Sequence, residues 1–353
     1  MDIRIKHVIN KLVSSNLDCL IVSLPANISY LSRSISRDSM MLVSKKESIY
    51  FTDFRYYEEA KQNFKNRLKV QRTDNTMLAA IAAACNSLKA GRVGFEENHL
   101  TCRQLRLLKE KIGNKTELVP IAGAIETIRE VKDKEELDKI RTATAITRKA
   151  LEFAARFLKP GVKEIEVAAE LESFIRYNGA RSAAFEIIVA SGPNTSFAHH
   201  LTSQRVLKNN EPVLIDIGTD FLGYKSDLTR VFFLGKIPTL ARNIYHIVDK
   251  AQDAAIAKIK PGQSFSSIDK AARDIITKNG FGAYFGHALG HGIGLEIHEK
   301  PSVSSRNPEL LQPGMVFTIE PAIYIPRKLG IRLEDTVLVT KKGVEVLSGS
   351  LNK

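Results

Sequence analysis

The chain has 353 residues, 44% of them hydrophobic and 26% charged, with a formal net charge of +13. That length favours two domains, and the composition excludes a disordered polymer and a membrane-embedded protein. The basic residues are spread along the chain with no RRM, KH or zinc-finger pattern, so solvated faces explain the charge better than a nucleic-acid partner does.

Residues Met1 to Ser15 alternate charged and apolar side chains, unlike a secretory leader, and no apolar run approaches the roughly 18–20 residues of a membrane span. Cys19, Cys85 and Cys102 lack CxxC spacing and read as small buried apolar side chains in a reducing compartment. The expected location is cytoplasmic, with no membrane partner.

Residues 1–127 read as an alternating α/β domain. A helix carries Ile5, Val8, Ile9 and Leu12, an apolar strand follows from Cys19, and further strands lie near Met40–Val43 and Ile49–Phe51. No chemistry is visible in this part. The charged stretch Arg129 to Glu136 leads into a long amphipathic helix through Leu137, Ile140, Thr144, Thr147, Leu151 and Ala154, stopped by Pro160-Gly161. The second domain, 128–353, begins there.

That domain echoes itself. Lys159-Pro160-Gly161 recurs as Lys260-Pro261-Gly262, a helical pattern follows each, and Asn178-Gly179 recurs as Asn279-Gly280, all at one offset of 101. The apolar run ending in Asp216 then parallels the run ending in Glu320, and each run returns to a second acid, Asp227 or Glu334. KPG and NG are common stops and turns, but helix, turn and acid recurring in the same order, the first two at one offset, argue for a true repeat. Two similar α+β halves about a pseudo-twofold axis are predicted, each giving one ribbon to a central site.

In an antiparallel ribbon, residues equidistant from the turn face each other. A turn at Phe221-Leu222 therefore predicts Asp216 opposite Asp227, and the second ribbon likewise places Glu320 with Glu334. Facing carboxylates on apolar strands repel at a cost unless a proton or cation lies between them. Arg230 and Arg332 are the local candidates for neutralising them, but cations fit four acids better. Carboxylates with one imidazole favour Mn²⁺, Co²⁺, Fe²⁺ or Zn²⁺ over a thiolate-type zinc site. The imidazole comes from the glycine-rich run Gly286 to Gly294, whose glycines are expected to adopt backbone conformations closed to other residues.

The stretches SGPNTSFAHH, LIDIGTDFLGYKSDLTRVFF, GHALGHGIGLEIHE, PGMVFTIEPAIYIP and IRLEDTVLVT resemble, in order and spacing, the metallopeptidases of the prolidase and aminopeptidase P group. The resemblance runs in detail from about residue 128 onward. It implies an α+β pita-bread catalytic domain with an internal pseudo-twofold repeat, behind an α/β creatinase-like amino-terminal domain. It implies two divalent ions, Mn²⁺ ahead of Co²⁺, Zn²⁺ or Fe²⁺, on Asp216, Asp227, His291, Glu320 and Glu334. It further implies His199, His287 and His298 on the substrate side, with Arg332 also within reach of substrate. His199, His298 and Glu320 take the catalytic roles, Glu320 as proton shuttle. The sequence departs from the pattern at Ala198, where proline is common, and at Ala322, where glycine is usual.

The activity implied is hydrolysis of the bond between an N-terminal residue and proline in proline-containing peptides, by a water that the two cations acidify. A homodimer is expected. An Xaa-Pro aminopeptidase is the first reading and an Xaa-Pro dipeptidase the alternative. Some prolidases carry an arginine just after the HExP stretch that holds the substrate's carboxylate, whereas this chain has Ser302 there and Arg306 farther on. A creatinase-like hydrolase or a non-catalytic binding protein on the same fold would lack the ligand set, and methionine aminopeptidase usually lacks the first domain.

Overall fold

A computed structural model describes residues 2–65 and 67–349. Its chain divides into two compact units, Met1–Arg129 and Glu130–Lys353. The first is a six-stranded sheet in the order Lys69–Arg72, Ser48–Thr52, Ser39–Ser44, Cys19–Val22, Arg92–Glu96, Glu117–Ile121. Cys19–Val22 is central, antiparallel to Ser39–Ser44 and parallel to Arg92–Glu96, and all four of its residues are buried, which is why it reads as a continuous apolar run. Helix starts are set locally, for example by Asp2 accepting from the Arg4 amide and by a capping box between Thr101 and Gln104. Cys19 and Cys85 lie in the core as expected, whereas Cys102, the first residue of the helix inside that box, is exposed.

In the second unit the amphipathic pattern becomes the helix Lys134–Phe157, started by a capping box between Asp133 and Glu136. Its face of Ile146, Ala150, Leu151 and Ala154 packs with the helix Glu164–Tyr177 over Val213, Ile215, Ile217 and Leu228. The helices Thr239–Lys258 and Phe265–Lys278 repeat this arrangement over Phe317, Ile319, Val337 and Val339.

The repeat extends to individual hydrogen bonds. Gly161 donates to the Leu207 carbonyl as Gly262 donates to that of Leu311, both at 3.0 Å. Leu207 donates to Val162 as Leu311 donates to Gln263, both at 2.8 Å. Bridges join Lys163 to Val206 and Ser264 to Leu310. The helix side keeps the offset of 101 and the strand side has grown to 104, so the extra residues lie between these paired segments.

The two ribbons differ in register. In the second, Ile319 pairs with Asp335 and Ala322 with Arg332, which sets Glu320 opposite Glu334 as predicted. In the first, Ile217 pairs with Leu228 and Asp216 with Thr229. The turn is centred one residue later than the sequence suggested, with Phe221 paired to Tyr224, so Asp227 lies across from Gly218 and Asp216 is its diagonal neighbour. A shift of two positions keeps both acids on one face, which is why the site survives the corrected register.

Gly218 permits this crossing, because a Cβ there would run into the Ser226 carbonyl oxygen and crowd Phe185. Gly218→Ala should cost about 1–3 kcal/mol through overpacking, read as a fall of several degrees in the thermal midpoint. An unchanged midpoint would show that the ribbon does not need this close approach.

Candidate metal centre

Asp216 is the penultimate residue of the strand Glu211–Ile217, buried from Pro212 onward, and Asp227 immediately precedes the return strand Leu228–Leu234. From the other half come Glu320, just past the strand Val316–Ile319, and Glu334, just before Asp335–Val339. His291 sits mid-strand in Gly290–Gly292. Donor atoms of Asp227, His291 and Glu334 lie within 4.8 Å of one another. His291 Nε2 is 3.4 Å from Glu320 Oε1 and 3.6 Å from Asp227 Oδ2.

Close backbone approach brings His291 in. None of Gly286, Gly290, Gly292 and Gly294 has a positive φ, contrary to the sequence expectation. Instead a Cβ at Gly290 would strike the Thr318 carbonyl, and one at Gly292 the Lys300 carbonyl. The preceding loop is clamped by Arg273, which pairs with buried Asp269 and donates to the carbonyls of Phe285 and His287.

The electrostatics favour cations. Asp227 and Glu334 are 5% and 2% exposed, and burial first, then their mutual repulsion with Asp216 and Glu320, pushes both carboxyls well above the ordinary carboxylate range. Burial pushes Glu320 up to about 8, with Arg332 opposing and Asp216 adding to the rise. Asp216 Oδ1 and Asp227 Oδ1 are buried without a hydrogen-bond partner. Orphaned carboxylate oxygens facing one imidazole form a hard to borderline donor set, so these residues fit divalent ions.

The arginines are otherwise engaged. Arg230 pairs with Asp335 at 2.6 Å and donates to the Glu334 carbonyl, so it neutralises the next acid along rather than the cluster. Each guanidinium nitrogen of Arg332 is directed to protein: Nη2 to Asp216 Oδ2 at 2.5 Å, Nη1 to Tyr324 and the Ala198 carbonyl, and Nε to Thr229. Arg332, expected from the sequence to reach substrate, is 4% exposed and holds Asp216.

Three further histidines border the cluster. His287 donates from Nδ1 to the Ala288 carbonyl at 2.7 Å, which leaves buried Nε2 as an unpartnered acceptor, and burial lowers its pKa to about 4. Burial likewise lowers His291 to about 4, keeping a ligand lone pair available at neutral pH. The His298 ring meets His291 edge-on at 4.3 Å, and its pKa is lowered first by burial and then by His199. His199 is exposed, while His200 turns inward to Glu164.

Residues 138–341 match the model of metallopeptidase family M24, and residues 4–131 match the creatinase/prolidase N-terminal domain. The chain belongs to metallopeptidase family M24. It is 35% identical over 347 residues to the Xaa-Pro dipeptidase of Pyrococcus furiosus, covering 98% of this chain and 97% of that protein. The structure of an Xaa-Pro dipeptidase from Bacillus anthracis matches with a TM-score of 0.95 at 35% identity, covering 99% of this chain and 98% of that one. An X-Pro aminopeptidase from Thermotoga maritima matches with a TM-score of 0.91 at 31% identity over 99% of each chain. This M24 chain thus has the pita-bread fold of the prolidase structures and is a metal-dependent peptidase. None of its helices among the described residues is long and apolar enough to cross a membrane.

Sequence reasoning missed the residues that orient the donors. Thr229 donates to Glu334 Oε2 at 2.7 Å and Thr318 to Glu320 Oε1 at 3.3 Å, while Tyr324 holds Arg332. Each lies two or four positions from one of the clustered acids, a strand spacing that is the one signal in the sequence for them.

The raised carboxyls set a pH dependence for metal-free M24 protein. A folded-state acid whose pKa is raised binds protons that the unfolded chain has released, so stability falls as pH rises towards the folded value. His287 and His291 act oppositely, but their effect is complete above about pH 6.5, where the unfolded imidazoles are already neutral. Between about pH 6.5 and 8 the carboxyl effect dominates. The thermal midpoint of chelator-treated protein should fall across that window, and saturating divalent ion should remove the fall. A flat profile in the stripped protein would contradict the crowded-carboxylate account.

Proposed function

We propose that the chain hydrolyses the bond between an N-terminal residue and proline, with two divalent ions, Mn²⁺ first among them, held by Asp216, Asp227, His291, Glu320 and Glu334. The observation that carries this reading is the convergence of four buried or part-buried carboxylates and one neutral imidazole from both halves of the repeat. When bound, such ions supply Lewis acidity towards a carbonyl and acidify water near neutral pH. In this reading Glu320, whose side chain is 17% exposed at the edge of the cluster, takes a proton and returns it to the leaving nitrogen. His287 Nε2 offers an acceptor for a substrate donor, and His298 and His199 form the open side. Residues 128–353 carry this chemistry, with 1–127 as the creatinase-like domain.

Two substrate lengths are each favoured by an observation. The similar chains named Xaa-Pro dipeptidase support a dipeptide substrate at least as well as the alternative. Ser302, exposed and paired across the sheet with His291, sets no fixed positive charge at that position, which favours peptides continuing past proline. Comparing kcat/KM for X-Pro and X-Pro-Y-Z separates them, since loss of a carboxylate anchor reads directly as transition-state free energy. Asp227→Asn and Glu334→Gln should remove measurable turnover of both while leaving the fold intact. Full activity in either variant, or in metal-stripped protein, would overturn the reading.

A further inference from the structure

Glu164 is the first residue of the helix Glu164–Tyr177 and is fully buried. Its carboxylate accepts from six donors: the Ser191 amide and hydroxyl, both at 2.7 Å, Asn194 Nδ2 at 3.0 Å, His200 Nε2 at 2.9 Å, and the Ser203 amide and hydroxyl at 3.1 and 2.6 Å. Burial alone would raise this carboxyl, but the hydrogen bonds from Ser203, Ser191, His200 and Asn194 hold it below its ordinary value. Such a buried charge is costly to leave unpaired, so its donors are held firmly.

The repeat supplies an internal control. At the same offset of 101, the other half has Phe265, also fully buried, whose amide donates to the Glu309 carbonyl as that of Glu164 donates to Arg205. Phe265 packs edge-on against Phe317 at 5.3 Å. Helix start and bridge therefore form with an apolar residue in place, and the acid is a specialisation of one half.

What the acid holds is the segment 191–205, gripped both before and after His199. The same segment is tied to the site by the Ala198 carbonyl, which accepts from Arg332, and by Thr195, whose hydroxyl accepts from the Gly330 amide. His200, fixed by Glu164, lies against Phe197 with ring centroids 6.3 Å apart. His199 contributes electrostatically to the lowered pKa of both His287 and His298.

We propose that Glu164 is a positioning residue: its carboxylate fixes the segment 191–205 so that His199 is presented to the open side of the metal centre. This rests on the reading of His199 as a substrate-side group in an Xaa-Pro peptidase. A displacement of about 1 Å in such a group costs on the order of a hundredfold in rate.

The test uses the metal-loaded full-length protein with Glu164→Leu, which imitates the apolar sister position, and Glu164→Gln, which keeps the shape. Expected are wild-type metal content, a fall of about a hundredfold in kcat/KM for X-Pro substrate in Glu164→Leu, and a smaller fall in Glu164→Gln. Hydrogen exchange should accelerate at least about tenfold over 192–203 and stay unchanged over 290–311. In a His199→Ala background, Glu164→Gln should add little, because both changes remove one function. Additive losses, unaltered exchange over 192–203, wild-type kcat/KM in either folded variant, or a loss matched by missing metal would each overturn the proposal. If Glu164→Leu fails to fold, Glu164→Gln carries every arm. The exchange arm needs no substrate, so inactivity of the wild type on X-Pro peptides would fail the functional reading while leaving that arm to be judged by itself.

Discussion

Four carboxylates from the two halves of the repeat converge on a largely buried site in which Arg332 is paired with Asp216. That crowding governs much of what surrounds it. Hydroxyls from Thr229 and Thr318 orient individual oxygens, glycines let strands close to backbone contact, and histidines are kept neutral by burial. An apolar repacking of the same volume would be easier to fold, since isolated buried charges are unfavourable. The arrangement is intelligible as a receptor for positive charge, and family membership agrees with that.

The duplicated architecture explains how such a site is built. Each half contributes a helix pair over a ribbon, and the ribbon ends are where an acid reaches the centre while its neighbours stay in the core. The halves have since diverged in function. One carries His291 on a short strand clamped by Arg273, and the other carries His199 on a segment anchored by Glu164 and by the Arg205–Glu211 pair.

Much of this was legible in the sequence because it is periodic. The KPG and Asn-Gly recurrences locate helices of equal length, Glu164–Tyr177 and Phe265–Lys278, and the acids close their strands. Register was less legible: the first ribbon turns one residue later than the expected Phe221-Leu222, because Leu222 and Gly223 both take left-handed conformations in the turn. The occupation of Arg332 by Asp216 and Tyr324 could not be read, since the partners are 116 and 8 residues away and only the fold joins them. Glu164 was equally silent, because an acid at a helix start has an ordinary explanation in the helix dipole.

The glycines beside His291 bear on how homologous genomes are interpreted. A chain can retain all five proposed donor residues and still be inert if a side chain occupies the position of Gly290 or Gly292, where backbone carbonyls leave no room for a Cβ. Sorting active peptidases from silent paralogues by donor residues alone would therefore count too many as enzymes. The space next to the imidazole is as diagnostic as the imidazole itself.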